Sequence, residues 1–162
     1  MSLRGIVALM RAILFLIIAL VAAPAVAEDW TQYSNPRFGY SIDVPASFAT
    51  VRDSDNGDGR SYRDGATRLA VWGGNIVDDS FESAAFAASG LAAGEGWGII
   101  YEAVTPSWAS FSGTQGQRVL YQRMVVLCGG QYAAFRLEYS AVDMARLDSV
   151  VSRLVQSLKG GC

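Results

Sequence analysis

The sequence predicts an α+β domain in which an antiparallel sheet packs against helices. Two observations carry this prediction. Residues 117–127 and 131–140 are long β-prone runs joined by the turn residues Cys128-Gly129-Gly130, as in a meander. Near the C-terminus, apolar residues recur at spacings of three and four, which is the period of a helix with one buried stripe.

Residues 1–27 have the three zones of a cleavable signal peptide in the required order. Arg4 and Arg11 supply the positive start, residues 12–23 are apolar, and Pro24 precedes the small-residue triplet 25–27. We expect cleavage after Ala27, which leaves residues 28–162 as a single periplasmic or secreted domain. An uncleaved anchor is the competing interpretation, although the interrupted apolar stretch is shorter than the roughly 20 residues that span a bilayer.

Charge limits the partners of the exported domain. The signal segment holds two of the 13 basic residues and none of the 15 acidic ones, so the remainder has a net charge of −4. Because neutralisation of phosphates supplies most nucleic-acid affinity, we expect no nucleic-acid partner. We also expect no membrane association after cleavage.

The first strand is predicted from the alternation of Phe38, Tyr40, Ile42 and Val44 with small or polar residues. Pro45 ends it, and residues 48–51 resemble a short continuation. Residues 53–60 contain almost no apolar atoms and predict a solvated turn. A hairpin follows, with strands at 61–63 and 66–73 around Asp64-Gly65.

A helix is predicted to begin at residues 78–80, with Asp79 and Glu82 forming a capping box. Its expected apolar stripe consists of Phe81, Ala85, Ala88 and Leu91, and the glycines at 90, 94 and 96 are expected to end it. Residues 97–105 then read as a strand, and residues 108–112 begin the meander. One side of the meander, which carries Arg136 and Glu138, is expected to face water.

The final helix is predicted from a stripe of apolar residues spaced three and four positions apart. We expect this stripe to pack on the apolar face of the sheet. Asp143 is expected to cap its start, and Lys159 and Gly160 suit its end. The residues of the stripe are Met144, Leu147, Val151, Leu154 and Leu158.

Cys128 and Cys162 are the two cysteines of the chain. An oxidising compartment lets them form a disulfide that ties the last residue to a turn 34 positions earlier. The alternatives are two free thiols, or a bond from Cys162 to another molecule.

The absence of histidine excludes a Ser-His-Asp triad, a Cys-His pair and any metal site with histidine ligands. A catalytic Ser-Lys pair would need Lys159. The position of this lysine is better explained by the favourable interaction of a positive charge with the end of the last helix. Paired carboxylates could still hydrolyse glycosides, and Asp78-Asp79 is the obvious doublet. Because adjacent residues rarely face each other, helix capping is the preferred explanation, so we expect no enzyme and no cofactor.

Asp53, Asp55 and Asp58 are weak candidates for metal ligands, because they concentrate oxygen atoms in a glycine-rich loop. Their spacing does not fit an EF-hand, and a plain solvated turn is preferred. The glycines near residue 94 close a helix rather than open one, so they do not predict a phosphate site. The aromatic residues could line a sugar or peptide groove, but are more simply explained as core; they are Trp30, Tyr33, Trp72, Trp97, Tyr101 and Trp108.

Residues 37–45 (RFGYSIDVP), followed by Phe48, resemble the opening strand of PsbP-like and Mog-type domains. The closing segment 150–158 resembles the terminal helix of the same superfamily. The resemblance implies an α/β/α sandwich with a curved antiparallel sheet and a long C-terminal helix packed on it. It also implies accessory or binding roles rather than catalysis. No functional residue is carried over from it.

Three functional hypotheses follow. The leading one is a non-catalytic periplasmic binding or accessory protein that contacts an envelope protein or a cell-wall component, through a sheet face or the 53–60 loop. The second is a carboxylate-dependent envelope hydrolase. The third is a carrier of a small ligand or metal, which would need a closed pocket or converging Asp oxygens.

Overall fold

The computed structural model describes residues 28–77 and 79–160. The expectations for the signal peptide, for Asp78 and for Cys162 lie outside this part of the chain. The described residues form two α-helices, α1 (Phe81–Gly94) and α2 (Met144–Ser157), and ten strands. The strands are β1 (Trp30–Asn35), β2 (Tyr40–Pro45), β3 (Ala49–Asp53), β4 (Gly59–Asp64), β5 (Thr67–Asn75), β6 (Gly98–Val104), β7 (Trp108–Gln115), β8 (Arg118–Leu127), β9 (Gln131–Ser140) and β10 (Lys159–Gly160).

Seven strands form the main sheet, in the order β3-β4-β5-β9-β8-β7-β6, and every neighbouring pair is antiparallel. A second sheet has the order β1-β2-β10. The predicted meander β7-β8-β9 and the hairpin β4-β5 are confirmed. The turn of that hairpin is tight because Gly65 adopts φ 56°, a conformation that glycine reaches without a Cβ clash.

The face of the main sheet that the small sheet and α2 cover is called the inner face. Its side chains alternate along β9, with Ala133, Phe135 and Leu137 all 0% exposed. They pack in one cluster with Ile42 of β2 and Leu154 of α2. The prediction that the last helix lies on the apolar face of the sheet is therefore confirmed.

The opposite, outer face is partly covered by α1. Phe81 and Ala85 of α1 pack against Ala109, Met124 and Ala134, which belong to β7, β8 and β9. The expectation that this side of the meander faces water is thus wrong for the area beneath α1. Arg136 and Glu138 of β9, which were expected to face water, are only 20% and 16% exposed.

Helix α1 begins one residue later than the proposed capping box. The Ser80 hydroxyl is the cap and accepts a hydrogen bond from the Ser83 amide at 3.1 Å, so Asp79 and Glu82 do not form the box. The helix continues through Gly90, and Leu91 is 67% exposed rather than part of the buried stripe. Alanine and glycine fill most of this helix, so hydrophobicity alone marks no single face.

Helix α2 also differs at its ends. Asp143 makes no capping hydrogen bond and instead lies near Arg146. Its buried residues are Leu147, Val150 and Leu154, whereas Met144 is 51% exposed. The helix ends at Ser157, and Lys159–Gly160 form β10 against β2 instead of a helix end. The predicted stripe is confirmed at Leu147, Leu154 and Leu158, which are buried, and Val151 packs against the same core, so the prediction is wrong only for Met144.

The opening strand was predicted in part. The alternation from Phe38 to Val44 corresponds to β2, whose partner β1 was missed because it is mostly polar and exposed. Residues 49–53 are not a continuation of β2 but the edge strand β3 of the other sheet. No helix among the described residues is long and apolar enough to cross a membrane.

Candidate functional site

The uncovered part of the outer face contains two adjoining cavities of about 590 Å³ and 320 Å³. Both are lined by Ser61 of β4 and Ala70 of β5, which are directly opposite each other in the sheet. We call the combined depression the outer groove. It crosses β3, β4 and β5 from the 54–58 turn to the side chains of Arg136 and Glu138.

The floor of the outer groove is low because its residues are small. Gly59, Ser61 and Ala70 lie on the same face as Trp72, which rises at one side. A Cβ on Gly59 would lie 2.8 Å from Trp72 Cα, so a larger residue there would displace the backbone of β5. The absence of helix α1 above these strands leaves the depression open to solvent.

One border of the groove is the free edge of the main sheet. Strand β3 pairs only with β4, and all five of its residues are exposed. Val51, at 61% exposure, is its largest apolar side chain, and the register with β4 shifts between Thr50 and Arg52. An exposed edge presents unpaired backbone N–H and C=O groups that an extended segment can meet.

The acidic end of the groove is a turn that internal hydrogen bonds hold together. Ser54 Oγ accepts a hydrogen bond from the Gly59 amide at 2.8 Å, and the Asn56 side chain donates to Asp58 Oδ2 at 2.9 Å. Arg60 donates to both carboxylate oxygens of Asp53, through Nε and through Nη2. Asp55 accepts a hydrogen bond from Arg52.

These contacts bear on the weak metal candidates. The hydrogen bond from Arg60 lowers the pKa of Asp53 below its ordinary value, and the same bond raises the pKa of Arg60. Asp53 and Asp55 are directed to different arginines, and Asp58 to an amide. Within residues 28–77 and 79–160, no three acidic or cysteine side chains come together as a metal site would require.

The other end of the groove is basic. Arg63 of β4 and Arg68 of β5 are directly opposite on the outer face, and both are exposed. Two like charges in this position repel each other and weaken the strand pair. Glu138 lies opposite Arg68 but accepts hydrogen bonds from Arg118 and Arg136. Neither Arg63 nor Arg68 forms an ion pair with a described carboxylate.

Arg136 closes this end. Its Nε donates to Glu138 at 2.9 Å and its Nη2 to Glu95 at 2.7 Å, so it ties β9 to the end of α1. Its guanidinium carbon lies 5.9 Å from the ring centroid of the buried Trp97. The sequence predicts no more for Arg136 than a place on the water-facing side of the sheet.

The six aromatic residues do not share one surface, so they do not form the sugar or peptide groove that was the alternative to core packing. Trp97 is 5% exposed and packs beneath α1, whereas Trp30 and Tyr33 pack against the core of the inner face. Of these six residues, Trp72 alone lines the outer groove, and Tyr101 is 49% exposed on the edge strand β6. Tyr62 of β4 also borders the smaller cavity, but it is 6% exposed and belongs to the core of the inner face, and burial raises its pKa to about 12.

The groove residues that the sequence did not reveal are Val51, Ser61, Arg63, Arg68 and Ala70. Each is ordinary by itself, and only the register of β3, β4 and β5 brings them together. A signal was present in the period-two alternation of β4 and β5, which places arginines at positions 63 and 68 on one face once the turn at Asp64-Gly65 is known.

Cys128 lies in the turn between β8 and β9, as predicted. The chain returns towards this turn at its end, since a side chain on Gly160 would overlap Leu127. The proposed bridge to Cys162 involves a residue outside the described ranges and stays a prediction.

Comparison with solved structures shows the fold. The cyanobacterial PsbP (CyanoP) from Synechocystis sp. superimposes with a TM-score of 0.63 at 16% identity, over 88% of this chain and 99% of that chain. The Saccharomyces cerevisiae Ran-binding protein Mog1p superimposes with a TM-score of 0.59 at 11% identity, over 83% of this chain and 96% of that chain. A point mutant of Mog1 gives the same TM-score over 82% of this chain.

The sequence matches no family model and none of the curated proteins. The structural matches therefore confirm the predicted PsbP-like and Mog-type resemblance at the level of the fold. At these identities they transfer no residue roles.

Proposed function

We propose that this protein is a non-catalytic binding or accessory protein of the periplasm or the secreted fraction, and that it contacts an envelope protein through the outer groove. The observation that carries the proposal is the pair Arg63 and Arg68, which face each other without a described carboxylate partner beside an open strand edge. Such a surface is complementary to an extended acidic segment.

The open edge supports the backbone part of this recognition. A peptide that pairs with β3 would satisfy its free N–H and C=O groups and place alternate side chains over the outer face. Val51 and Trp72 would offer apolar contact, and the small floor at Ser61 and Ala70 would leave room for the peptide side chains.

The charges support an acidic partner. A carboxylate over Arg63 and Arg68 would relieve the repulsion between two guanidinium groups that lie across one strand pair. At the opposite end, the acidic residues Asp53 and Asp55 are already held by arginines. The groove therefore has one end with unused positive charge, which orients a bound segment.

The fold and composition support a binding role over catalysis. The chain contains no histidine, and the carboxylates at the acidic end are hydrogen-bonded to arginine or amide groups. One structural neighbour is a Ran-binding protein, so the same fold serves protein binding elsewhere. The signal peptide predicted at residues 1–27 supports the envelope location.

Photo-crosslinking in producing cells tests the groove. A photoreactive amino acid in place of Ser61 or Ala70 should give a discrete crosslinked product with one protein, whereas the same amino acid in place of the exposed Ser149 of α2 should not. The Arg63→Glu/Arg68→Glu variant should lower that yield about tenfold, because like charges would then face an acidic partner. Equal crosslinking from Ser61 and Ser149, or no effect of charge reversal, would refute the proposal.

The location is tested separately by fractionation and intact mass. We expect the protein in the periplasm or the medium with Glu28 as its first residue. A full-length protein retained with the membrane fraction would contradict cleavage after Ala27 and support an anchor.

A further inference from the structure

A second uncovered area lies on the inner face of the main sheet, on the opposite side from the outer groove. The small sheet and α2 cover β5 and β9, but Tyr101 on the edge strand β6 is 49% exposed. The register places Ala103, Ser110, Arg123 and Phe135 in one row across β6, β7, β8 and β9. Arg123 thus lies at the boundary between the buried core and this open area.

The side chain of Arg123 is held in place by its neighbours. Its Nη1 donates a hydrogen bond to Ser110 Oγ at 3.0 Å, and its guanidinium carbon lies 4.2 Å from the centroid of the Trp108 ring. Ser110 is 2% exposed and also accepts a hydrogen bond from the Tyr121 hydroxyl at 3.2 Å. Tyr121 in turn stacks on Phe135, so the support reaches into the core. We call Tyr101, Trp108, Ser110, Tyr121 and Arg123 the Arg123 cluster.

The charge of Arg123 is not compensated within the described part of the chain. Six other arginines there form ion pairs with Asp or Glu, namely Arg52, Arg60, Arg118, Arg136, Arg146 and Arg153. Arg123 has no such partner among the described residues, and its Nε is buried without a hydrogen bond. Burial accordingly lowers its pKa, although a guanidinium stays protonated at any physiological pH.

An uncompensated and partly buried guanidinium is costly for a fold and therefore calls for an explanation. Arg, Trp and Tyr are the residue types that dominate binding hot spots, where a charged group is desolvated and surrounded by aromatic rings. The area around Arg123 has this composition. An exposed sheet face of this kind fits a protein surface better than a small free acid, which would need an enclosing cavity.

We propose that the Arg123 cluster is a second binding surface, which receives an Asp or Glu side chain of a partner protein. The carboxylate meets the Nη groups of Arg123, while Trp108 and Tyr101 contact the apolar atoms around it. This surface is separate from the outer groove, since the two lie on opposite faces of the sheet. Its existence does not depend on the function proposed for the groove.

Arginine side-chain NMR of the purified protein tests the carboxylate preference. Titration with the peptide acetyl-tetraglutamate-amide should shift the Arg123 Nε–H signal, identified by its loss in Arg123→Lys, in a saturable manner. The matched tetraglutamine peptide should cause less than about a tenth of that shift, because only a carboxylate forms charge-assisted bonds. Arg146→Gln, which removes an exposed arginine of α2, should leave the titration unchanged.

Three results of this titration would overturn the proposal. One is an Arg123 signal that tetraglutamate does not move, and another is an equal shift with tetraglutamine. The third is tighter binding of inorganic phosphate, or of acetate at equal carboxylate concentration, which would assign the surface to a small anion.

A crosslinking experiment links the cluster to a partner protein. A photoreactive amino acid in place of Tyr101 should give a discrete product in producing cells, and adding Arg123→Lys should reduce it about tenfold, since lysine lacks the planar donor pair. Crosslinking from Ser61 in the outer groove should be unaffected by Arg123→Lys. An unchanged product from position 101 would refute the role of Arg123, whatever the outcome at the groove.

Discussion

Arg136 and Arg123 occupy similar positions on opposite faces of the same sheet, yet only the charge of Arg136 is neutralised by carboxylates of the described residues. Both lie on central strands, both are partly buried, and each guanidinium lies over a tryptophan ring, Trp97 or Trp108. Arg136 is held by two carboxylates, Glu95 and Glu138. Among the described side chains, Arg123 has only the Ser110 hydroxyl as a hydrogen-bond partner.

The comparison distinguishes an arginine that stabilises the fold from an arginine whose charge no described carboxylate neutralises. Arg136 forms hydrogen bonds to Glu138 of β9 and to Glu95 at the end of α1, so its charge is neutralised by contacts that stabilise the fold. The donors of Arg123 are positioned by Ser110 and Trp108 but not neutralised. Substitution should therefore clearly lower stability at Arg136, and should leave it nearly unchanged or raise it at Arg123.

The largest expected effect is at the tryptophan beneath Arg136. Trp97 is 5% exposed and packs with Ala92, Phe111 and Leu120, so Trp97→Ala should lower the free energy of unfolding by about 4 kcal/mol. Trp108→Ala, at a half-buried ring, should cost only about 1 kcal/mol. Urea unfolding followed by circular dichroism measures both, and equal losses would contradict the assignment of one cluster as structural.

A somewhat smaller loss of stability is expected at the turn that holds Cys128, beside the last strand β10. Strand β10 pairs with β2 and lies against Leu127, next to Cys128. If Cys128 and Cys162 are bonded, Cys128→Ser should cost about 3 kcal/mol, because the unfolded chain regains the freedom of a long loop. The double variant Cys128→Ser/Cys162→Ser should cost no more. An intact mass that shows two free thiols would refute the bridge.

Removal of the structural arginine should have the next largest effect. Arg136→Met keeps the side-chain stem but leaves Glu138, which is 16% exposed, without one of its two arginines. We expect a loss of about 2 kcal/mol in urea unfolding, since a partly buried carboxylate loses its charged donor. The matched variant Arg146→Met, at an exposed ion pair, should change stability by less than about 0.5 kcal/mol. Equal effects of the two variants would show that burial of the Arg136 pair adds nothing.

Much of the fold could be predicted from the sequence because it is encoded by short-range patterns. The hairpin at Asp64-Gly65, the meander β7-β8-β9 and the helix from Met144 follow from turn residues and from periods of two or about 3.6. Strand β1 and the exact stripe of α2 could not be predicted. Strand β1 is mostly polar, and it forms a strand because it pairs with β2. The buried stripe of α2 depends on which side of the helix faces the sheet.

Neither arginine cluster could be predicted, for a related reason. Arg123 and Ser110 are 13 positions apart, and Glu95 and Arg136 are 41 positions apart. Their contacts depend on strand order and register, which a single sequence does not specify. The resemblance to PsbP-like and Mog-type domains supplied the architecture but no side-chain roles, and at 11% to 16% identity it could not.

The ion pair at the acidic end of the groove should affect titration more than stability. The hydrogen bond from Arg60 lowers the pKa of Asp53 in the folded protein. Its contribution is therefore fully present above the ordinary pKa of an aspartate and is lost as the pH falls through the lowered value. Carboxyl-carbon NMR should show a higher midpoint for Asp53 in Arg60→Gln. The same midpoint in both proteins would show that Arg60 does not hold this carboxylate in solution.

The smallest change in stability is expected at Arg123, and its sign is the point of interest. Arg123→Met removes a buried Nε that has no hydrogen bond and replaces it with an apolar chain that can remain on Trp108. Urea unfolding should show a change within about 0.5 kcal/mol of zero or a gain in stability, because no carboxylate is left unpaired. Arg123→Lys is the control that keeps the charge. A loss as large as that of Arg136→Met would mean that Arg123 serves the fold, and it would remove the reason to regard its charge as available to a partner.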